Sequence, residues 1–245
     1  MRIIAFVNQK GGVGKTTLSL NLASILADNG SKVLIIDNDS QANITNTFLN
    51  EEPENTLYNV ILHEEKLENI IHKTNIENLD IAVNSLASSD INLLLSTEIA
   101  REMKLKNAIE NANIDYDYVF IDCNPALDLN LINALVATEE VIIPIDTSAY
   151  SLTGLKNLVA FIDKVKVLNK KLDIKGFVLN NIDRRTSLYK DIEEAINELY
   201  PGMLLSQGIS LNSIFSKMQF AKETIIANKS NKAYAELNNL LLEVK

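Results

Sequence analysis

A glycine-rich segment near the N-terminus, NQKGGVGKTT at residues 8–17, is the strongest constraint on the fold of this chain. It follows a short apolar, β-branched run at residues 2–8, and it overlaps the start of residues 15–29, whose apolar side chains recur at helical spacing. A glycine-rich turn at the N-terminus of a helix points backbone N–H groups inward, and the helix dipole favours an anion there. The segment therefore predicts a strand, a phosphate-binding loop and a helix, in that order.

Apolar runs and helical segments alternate along the rest of the chain. The predicted strands are residues 2–8, 32–39, 79–83, 118–122, 140–145 and 174–180, and the predicted helices are residues 15–29, 90–111, 151–168, 187–199 and 231–244. Near-continuous apolar strands separated by helices are typical of a mostly parallel sheet. We therefore predict an α/β fold, a doubly wound and mostly parallel sheet with helices on both faces, whose ligands bind beyond the carboxyl ends of the strands.

Length and composition favour a single domain over residues 1–245. With 47% apolar residues the chain can bury a full core, and no Gly/Pro-rich linker interrupts it. No window of 18 apolar residues is present and residues 1–10 lack the apolar run of a secretion signal, which favours a cytoplasmic protein. The glutamate-rich residues 51–78 are interpreted as a solvated insertion.

The net charge of −9 is distributed unevenly. Residues 1–122 contain 9 Lys+Arg and 18 Asp+Glu, whereas residues 123–245 contain 14 of each. Residues 156–190 alone contain nine basic and three acidic side chains. Such a local excess of positive charge allows contact with nucleic acid if the basic side chains lie together on one face.

The glycine-rich loop carries residues suited to a triphosphate and a metal ion. Its glycines let the backbone wrap around phosphates, Lys15 can reach the β- and γ-phosphates, the Thr16 hydroxyl can bind Mg²⁺, and Thr17 is placed for the α-phosphate. The strict pattern G-x-x-x-x-G-K-[ST] would require glycine where this chain has Gln9. The predicted cofactors are ATP and Mg²⁺. The predicted nucleotide-binding residues of the loop are Gly11, Gly12, Val13, Gly14, Lys15, Thr16 and Thr17.

Two of the predicted strands end in carboxylates that would lie beside this loop. Asp37 and Asp39 end the second strand, and Asp122 ends the fourth. An aspartate at such a position can hold the hydration shell of Mg²⁺, and Asp122 fits that role best. We predict a metal site of Thr16, Asp37 and Asp122, and we assign Asp39 to orienting the attacking water.

The first lysine of the loop, Lys10, is not needed by the chain's own nucleotide, which Lys15 and the backbone already serve. A second cation is more useful on a neighbour's phosphates, as an arginine finger supplied in trans is. The string KGGVGKTT resembles the deviant Walker A motif of the ParA/MinD superfamily of P-loop NTPases. Together with VLIIDNDSQANIT, YDYVFIDCNPAL, VIIPIDTSAYSLTGL and DRRTSL, it resembles the small ParA/Soj-type partition ATPases over nearly the whole chain.

This resemblance implies a slow, Mg²⁺-dependent ATPase that forms a nucleotide-sandwich homodimer. The dimer would bind double-stranded DNA nonspecifically on the nucleoid, and a ParB-like centromere-binding protein would stimulate hydrolysis; no membrane partner is expected. By position, Lys10 is the signature lysine, Asp39 the switch I aspartate and Asp122 the Walker B aspartate, while Asn180 matches a position near the adenine. The predicted catalytic residues are Lys10, Lys15 and Asp39, and the predicted DNA contacts are Lys170, Lys171, Arg184 and Arg185.

The chain also departs from the family pattern at three places. It reads DSQAN where members usually read D-P-Q-G-N, CNPA where they read C-P-P-S, and ISLNSI at residues 209–214 where they read I-P-R-N-V-R. Ser40, Ala42 and Asn124 therefore stand in the switch segments. In the family, the two arginines that this chain lacks are associated with DNA contact or with the base pocket.

Three alternatives share parts of this pattern. A MinD-like membrane ATPase would end in a basic amphipathic anchor, whereas the C-terminal YAELNNLLLEVK contains one lysine and neither Phe nor Trp. A reductase of the nitrogenase iron protein type needs two ligand cysteines per subunit, and this chain has only Cys123. A nucleotide-switched scaffold that has lost hydrolysis is the third alternative.

Overall fold

The computed structural model describes residues 1–148 and 151–245. Its strands are β1 (Arg2–Phe6), β2 (Val33–Asn38), β3 (Ile71–Lys73), β4 (Leu79–Ala82), β5 (Tyr118–Cys123), β6 (Glu140–Ile145), β7 (Asp173–Ile182) and β8 (Ile209–Ser210). They form one sheet in the order β3-β4-β2-β5-β1-β6-β7-β8, and every neighbouring pair is parallel except β3 and β4. The predicted mostly parallel sheet is therefore confirmed.

Helices cover both faces of the sheet. Those of the described ranges are α1 (Lys15–Asp28), α2 (Asn43–Phe48), α3 (Leu57–His63), α4 (Ile91–Leu95), α5 (Lys104–Asn111), α6 (Leu129–Ala137), α7 (Ser151–Val165), α8 (Ser187–Leu199), α9 (Ile214–Ala221) and α10 (Lys232–Val244). All residues of β2 are buried, and because successive strand residues point to opposite faces, both faces must be covered. Within the described ranges, none of the helices combines the length and hydrophobicity that a bilayer span requires.

The register of the central strands brings three connecting loops to one edge of the sheet. Asp122 at the end of β5 pairs with Phe6 of β1 on one side and with Asp37 of β2 on the other. The glycine-rich loop follows β1 directly. The loops after β1, β2 and β5 therefore meet at the carboxyl edge, where ligands of such sheets bind.

The helix predicted over residues 90–111 is two helices, α4 and α5, separated by a turn. The hydroxyls of Ser96 and Thr97 donate to the carbonyls of Leu93 and Leu94, at 2.6 and 3.1 Å. Short hydroxyl side chains compete in this way for carbonyls that a continuing helix would use. The spacing of apolar residues over residues 90–111 therefore predicts a helix with one apolar face, but it does not predict the break between α4 and α5.

The predicted solvated insertion, residues 51–78, contributes to the core. Helix α3 buries Leu57, Val60 and Ile61, and β3 pairs antiparallel with β4. The exposed glutamates of this region obscure a short amphipathic pattern of seven residues. The interpretation as a merely solvated insertion is therefore wrong.

A buried asparagine of α1 anchors the C-terminal segment. Asn21 is 3% exposed, its amide donates to the Thr17 carbonyl, and its Oδ1 accepts the Ile225 N–H at 2.7 Å. Ile225 is fully buried in the turn between α9 and α10, so this side chain takes the place of water as the acceptor. The contact fixes α9 and α10 relative to α1.

We expect Asn21→Ala to lower the free energy of unfolding by about 1–2 kcal/mol, because the buried Ile225 N–H loses its acceptor while alanine gains a little helix preference. Urea denaturation followed by circular dichroism measures this change. Asn239→Ala, an exposed asparagine in α10, is the matched control and should be neutral or slightly stabilising. Equal stability of the two variants would contradict the anchoring role.

Candidate functional site

The backbone conformation of the glycine-rich loop requires glycine at only some of its positions. Gly12 and Gly14 adopt φ values of 76° and 96°, a left-handed conformation that glycine accepts without strain. Among the described residues Gln9 is not one of those with positive φ, so a side chain is tolerated there. This explains why the loop keeps its form although it deviates from the strict motif.

The second lysine of the loop, Lys15, is held inside it. Lys15 is 7% exposed, and its Nζ donates to the Lys10 carbonyl at 3.3 Å. Burial lowers the pKa of Lys15, while the nearby charges of Asp122 and Asp39 act in the opposite direction. A buried ammonium group at the N-terminus of α1 is suited to an anionic ligand in the loop.

Two buried carboxylates lie beside this ammonium group. The Thr16 hydroxyl donates to Asp122 Oδ2 at 2.7 Å, and the Thr45 backbone N–H and hydroxyl donate to Asp37 Oδ2 at 2.9 and 2.8 Å. Both aspartates are fully buried, and Oδ1 of each has no hydrogen-bond partner among the described residues. An acceptor atom of this kind can bind a cation or accept a hydrogen bond from a ligand.

The electrostatics of this pair favour a bound cation. Burial, with the charge of Asp37 second, raises the pKa of Asp122 to about 7. Burial also raises the pKa of Asp37 to about 6, against the two hydrogen bonds from Thr45. Two carboxylates and the Thr16 hydroxyl are oxygen donors of the kind that Mg²⁺ prefers, so the predicted metal residues are brought together and fit the ion.

Asp39 lies apart from this buried pair and lines the open cleft. It is partly exposed, and its carboxylate accepts the Gln41 N–H at 3.0 Å. Ala42 of the DSQAN segment has a φ of 52°. This position therefore adopts a left-handed conformation although it is not a glycine. Asp39 thus lies on the solvent-accessible side of the cleft, and its assignment to the attacking water stays a prediction.

Lys10 is engaged within its own chain. Its Nζ forms an ion pair with Asp146 and a hydrogen bond to the Ser148 hydroxyl at 2.6 Å, and its side chain is 40% exposed. Both partners follow β6, so Lys10 bridges the glycine-rich loop to the β6–α7 connection. A contact of Lys10 Nζ with a second molecule would compete with these two partners.

Asn180 supports the loop from beneath. It is 6% exposed, its Nδ2 donates to the Val13 carbonyl at 2.7 Å, and a Cβ on Gly14 would lie 2.0 Å from that nitrogen. It does not line the cleft. The structure therefore gives Asn180 a loop-supporting contact, and its predicted role near the adenine stays a prediction.

The loop opens into a cleft of about 440 Å³. Seven predicted site residues line it, namely Gly11, Gly12, Gly14, Lys15, Thr16, Thr17 and Asp39. The lining residues that the sequence did not identify are Leu20, Asn21, Gln41, Asn43, Thr47, Pro125, Phe215, Met218, Gln219 and Glu223. The last four belong to α9 and its C-terminal end, and the pattern of residues 200–230 predicted no helix there.

The basic residues predicted to contact DNA do not form one patch. Lys170 and Lys171 precede β7, and Arg184 and Arg185 follow it. A strand of ten residues at about 3.3 Å per residue separates the two pairs by roughly 30 Å. The two pairs therefore do not share one face, because sequence proximity hides an intervening strand, and their contact with DNA stays a prediction.

The two arginines lie at the same edge of the sheet as the cleft. Arg185 is exposed and forms an ion pair with Asp183 at 2.7 Å, which holds the pKa of Asp183 at about 2. The Arg184 guanidinium lies 5.6 Å from the centre of the Tyr189 ring and donates to the Gly208 carbonyl.

Comparison with known proteins identifies the family to which the chain is similar. A family model described as an AAA domain matches residues 1–174. The chain is 41% identical over 204 residues to the sporulation initiation inhibitor protein Soj of Bacillus subtilis, covering 81% of this chain and 80% of Soj.

Solved structures extend the similarity to the whole fold. A plasmid partition protein from Borrelia burgdorferi bound to AMPPNP has a TM-score of 0.86 at 26% identity, covering 99% of this chain and 97% of that one. Cobyrinic acid a,c-diamide synthase from Mycobacterium smegmatis, with bound ATP analogue and magnesium, has a TM-score of 0.81 at 27% identity, covering 91% of each chain. With the glycine-rich loop, the buried aspartates and this similarity together, the chain belongs to the ParA/Soj family of P-loop ATPases.

Proposed function

We propose that the chain is a Mg²⁺-dependent ATP hydrolase that acts in DNA partition. The observation that carries this proposal is the convergence of Lys15, Thr16 and two buried aspartates with unpaired oxygens at one glycine-rich loop. The similarity to Soj and to the partition protein bound to AMPPNP supports it.

The residues of the site divide the work of hydrolysis. The loop N–H groups and Lys15 hold the β- and γ-phosphates, and Thr16 with Asp37 and Asp122 would hold Mg²⁺, which supplies neutralisation of phosphate charge. Asp39, at the open side of the cleft, orients the attacking water and does not bind the nucleotide. Catalysis of this type depends on positioning and electrostatics, so the loss of one positioning carboxylate lowers turnover more than binding.

Lys10 makes the active unit a homodimer. It exchanges Asp146 and Ser148 for the phosphates of a second subunit, where a cation supplied in trans stabilises the nucleotide sandwich. Its partly exposed position at the rim of the loop supports this role.

Lys10→Ala should leave nucleotide binding by the monomer within about twofold and abolish the ATP-dependent dimer, because its contact is made in trans. Lys15→Ala should lose nucleotide binding itself. Size-exclusion chromatography with ATP and a nucleotide titration measure the two effects, and Lys66→Ala, an exposed lysine away from the loop, is the control. Normal dimerisation by Lys10→Ala would refute the sandwich.

Asp39→Ala should bind ATP, dimerise and turn over at least about a hundredfold more slowly, since positioning of water acts only on the hydrolytic step. Single-turnover hydrolysis measures this, with Glu77→Ala as an exposed carboxylate control. Undiminished turnover would remove Asp39 from the site. A wild-type protein that dimerises but never hydrolyses ATP would instead support a nucleotide-switched scaffold.

The dimer is proposed to bind double-stranded DNA nonspecifically, and a ParB-like protein is proposed to stimulate its ATPase. Arg184 and Arg185 lie at the cleft edge, so a sandwich dimer brings two copies of this pair together. Lys170 and Lys171 precede β7 and lie at the opposite edge of the sheet, away from the cleft over which the two subunits would join. The DNA-contacting surface therefore includes the arginines, and the lysines contribute less.

Arg185→Ala should weaken ATP-dependent binding to arbitrary duplex DNA more than the paired change Lys170→Ala/Lys171→Ala, with dimerisation intact in both. With about two phosphate contacts per subunit, log affinity should fall against log salt with a slope of roughly −3.6. Filter binding with the ATP-bound Asp39→Ala dimer measures both quantities. No retention of DNA at low salt would contradict the DNA role.

A MinD-like membrane role receives no support from α10. This helix buries Leu237, Leu240, Leu241 and Val244, and it packs on α1. Arg2 of β1 donates to the Val244 carbonyl at its end. The apolar face that a membrane anchor would need is therefore already used in the core.

A further inference from the structure

Buried oxygen atoms without a hydrogen-bond partner are concentrated at one place in the fold. Among the described residues, six buried side-chain oxygens have no partner, and five of them lie at the ends of β2 and β5 or at the start of α6. Two belong to the buried carboxylates, and three are amide oxygens, namely Oδ1 of Asn38, Asn124 and Asn130. Because buried polar atoms in folded proteins are nearly always paired, this set indicates a ligand that donates hydrogen bonds.

The three amides adjoin the carboxylate pair. Asn38 directly follows Asp37 in β2. It pairs in register with Cys123, the residue before Asn124. The Asn130 amide donates to the Asn38 carbonyl at 3.0 Å, which joins the start of α6 to the end of β2. Asn38 is fully buried and Asn130 is 5% exposed. The unpaired amide oxygens therefore continue the group of acceptors that begins at the carboxylates.

The orientation of the Asn124 amide is set by Asp128. An ionised carboxylate only accepts hydrogen bonds, so the Asn124 atom that lies 3.2 Å from Asp128 Oδ2 is the nitrogen, and Oδ1 is on the other side of the amide. Asp128 is itself fixed, because its Oδ1 accepts the Leu131 N–H at 2.9 Å and its Oδ2 also accepts from Asn92 of α4 at 2.8 Å. The position of Asn124 Oδ1 is thus fixed by hydrogen bonds.

Water is the ligand that these amide oxygens fit best. The oxygens are neutral, and the carboxylate that contacts Asn124, that of Asp128, already has N–H donors on both of its oxygens. A further metal ion would lack the compensating charge that a buried cation needs, whereas a water molecule donates hydrogen bonds to neutral acceptors. The adjoining carboxylates supply that charge for one ion, and Mg²⁺ keeps several of its waters in protein sites.

We infer that these amide oxygens form a water site, which holds part of the hydration shell of the metal ion at Asp37 and Asp122. Its members are Asn38, Asn124 and Asn130. This inference rests on the proposed function and adds positioning residues outside the metal site itself. Asn124 stands where family members usually carry the first proline of C-P-P-S, and proline has no side-chain acceptor. The water site is therefore a feature that the family pattern does not contain.

The test compares ATP affinity with and without the metal. Calorimetry with ATP in Mg²⁺ and in EDTA gives the gain in affinity that Mg²⁺ confers, for wild type, Asn124→Leu and Asn124→Pro. Leucine has a similar volume without a polar group, and proline is the residue of the family pattern, which keeps the comparison possible where leucine prevents folding. We expect both variants to reduce the gain roughly tenfold, the scale at which partners of metal ligands act, and to leave affinity in EDTA unchanged.

Two further variants separate the water site from support of the fold. Asn169→Leu removes another buried asparagine, whose amide donates to two backbone carbonyls before β7, and it should lower stability without changing the gain from Mg²⁺. Asp128→Asn keeps an acceptor for the N-terminus of α6 but presents an NH₂ group to Asn124, so the Asn124 amide turns and the gain should fall. An unchanged gain in Asp128→Asn would contradict the orientation of Asn124.

Other outcomes overturn the inference in distinguishable ways. Equal gains for wild type and Asn124→Leu would refute the water site and leave the ATPase proposal intact. An equal loss of ATP affinity in Mg²⁺ and in EDTA would show that Asn124 only supports the shape of the cleft. Replacing K⁺ with tetramethylammonium should not change the wild-type gain, and a loss that K⁺ restores would mean that the amides bind a cation instead of water. A wild-type protein whose ATP affinity does not depend on Mg²⁺ would refute the proposed function itself.

Discussion

The parallel pairing of β2 with β5 is the constraint on which the site depends. It sets Asp37 opposite Asp122 near the buried carboxyl ends of the two strands, where water cannot solvate either charge. Burial of two carboxylates is unfavourable unless cations compensate it, and Lys15 on the next loop supplies one. The Oδ1 atoms of Asp37 and Asp122 have no hydrogen-bond partner among the described residues and can bind a second cation. The packed core thus fixes the positions of the site residues. The site in turn places charged groups inside the core.

Much of this arrangement could be predicted from the sequence because it rests on local signals. Buried parallel strands read as apolar runs, and the glycine-rich loop with Lys15 and Thr16 occupies a fixed place between β1 and α1. Asp122 was identifiable because it ends such a run. The topology then brings Asp37 to the same point without further information, since the carboxyl ends of parallel strands share one edge.

The features that escaped prediction depend on contacts between distant segments. Helix α9 has eight residues and a weak apolar pattern, so only the folded chain shows that Phe215 lines the cleft. The ion pair of Lys10 with Asp146 joins residues that are 136 positions apart. The basic residues on either side of β7 are close together in sequence. In the fold they lie at opposite ends of this strand and are therefore far apart.

In the proposed dimer, the engagement of Lys10 with Asp146 and Ser148 would give dimerisation the character of an exchange reaction. One partly exposed ion pair would be broken when another forms, so the net change in charge contacts at this lysine would be small. Added salt screens both sides of such an exchange, whereas it weakens a contact with DNA phosphates on one side only. Under the proposed function, ionic strength would therefore separate the two events, and the dimer would persist at salt concentrations that release it from DNA.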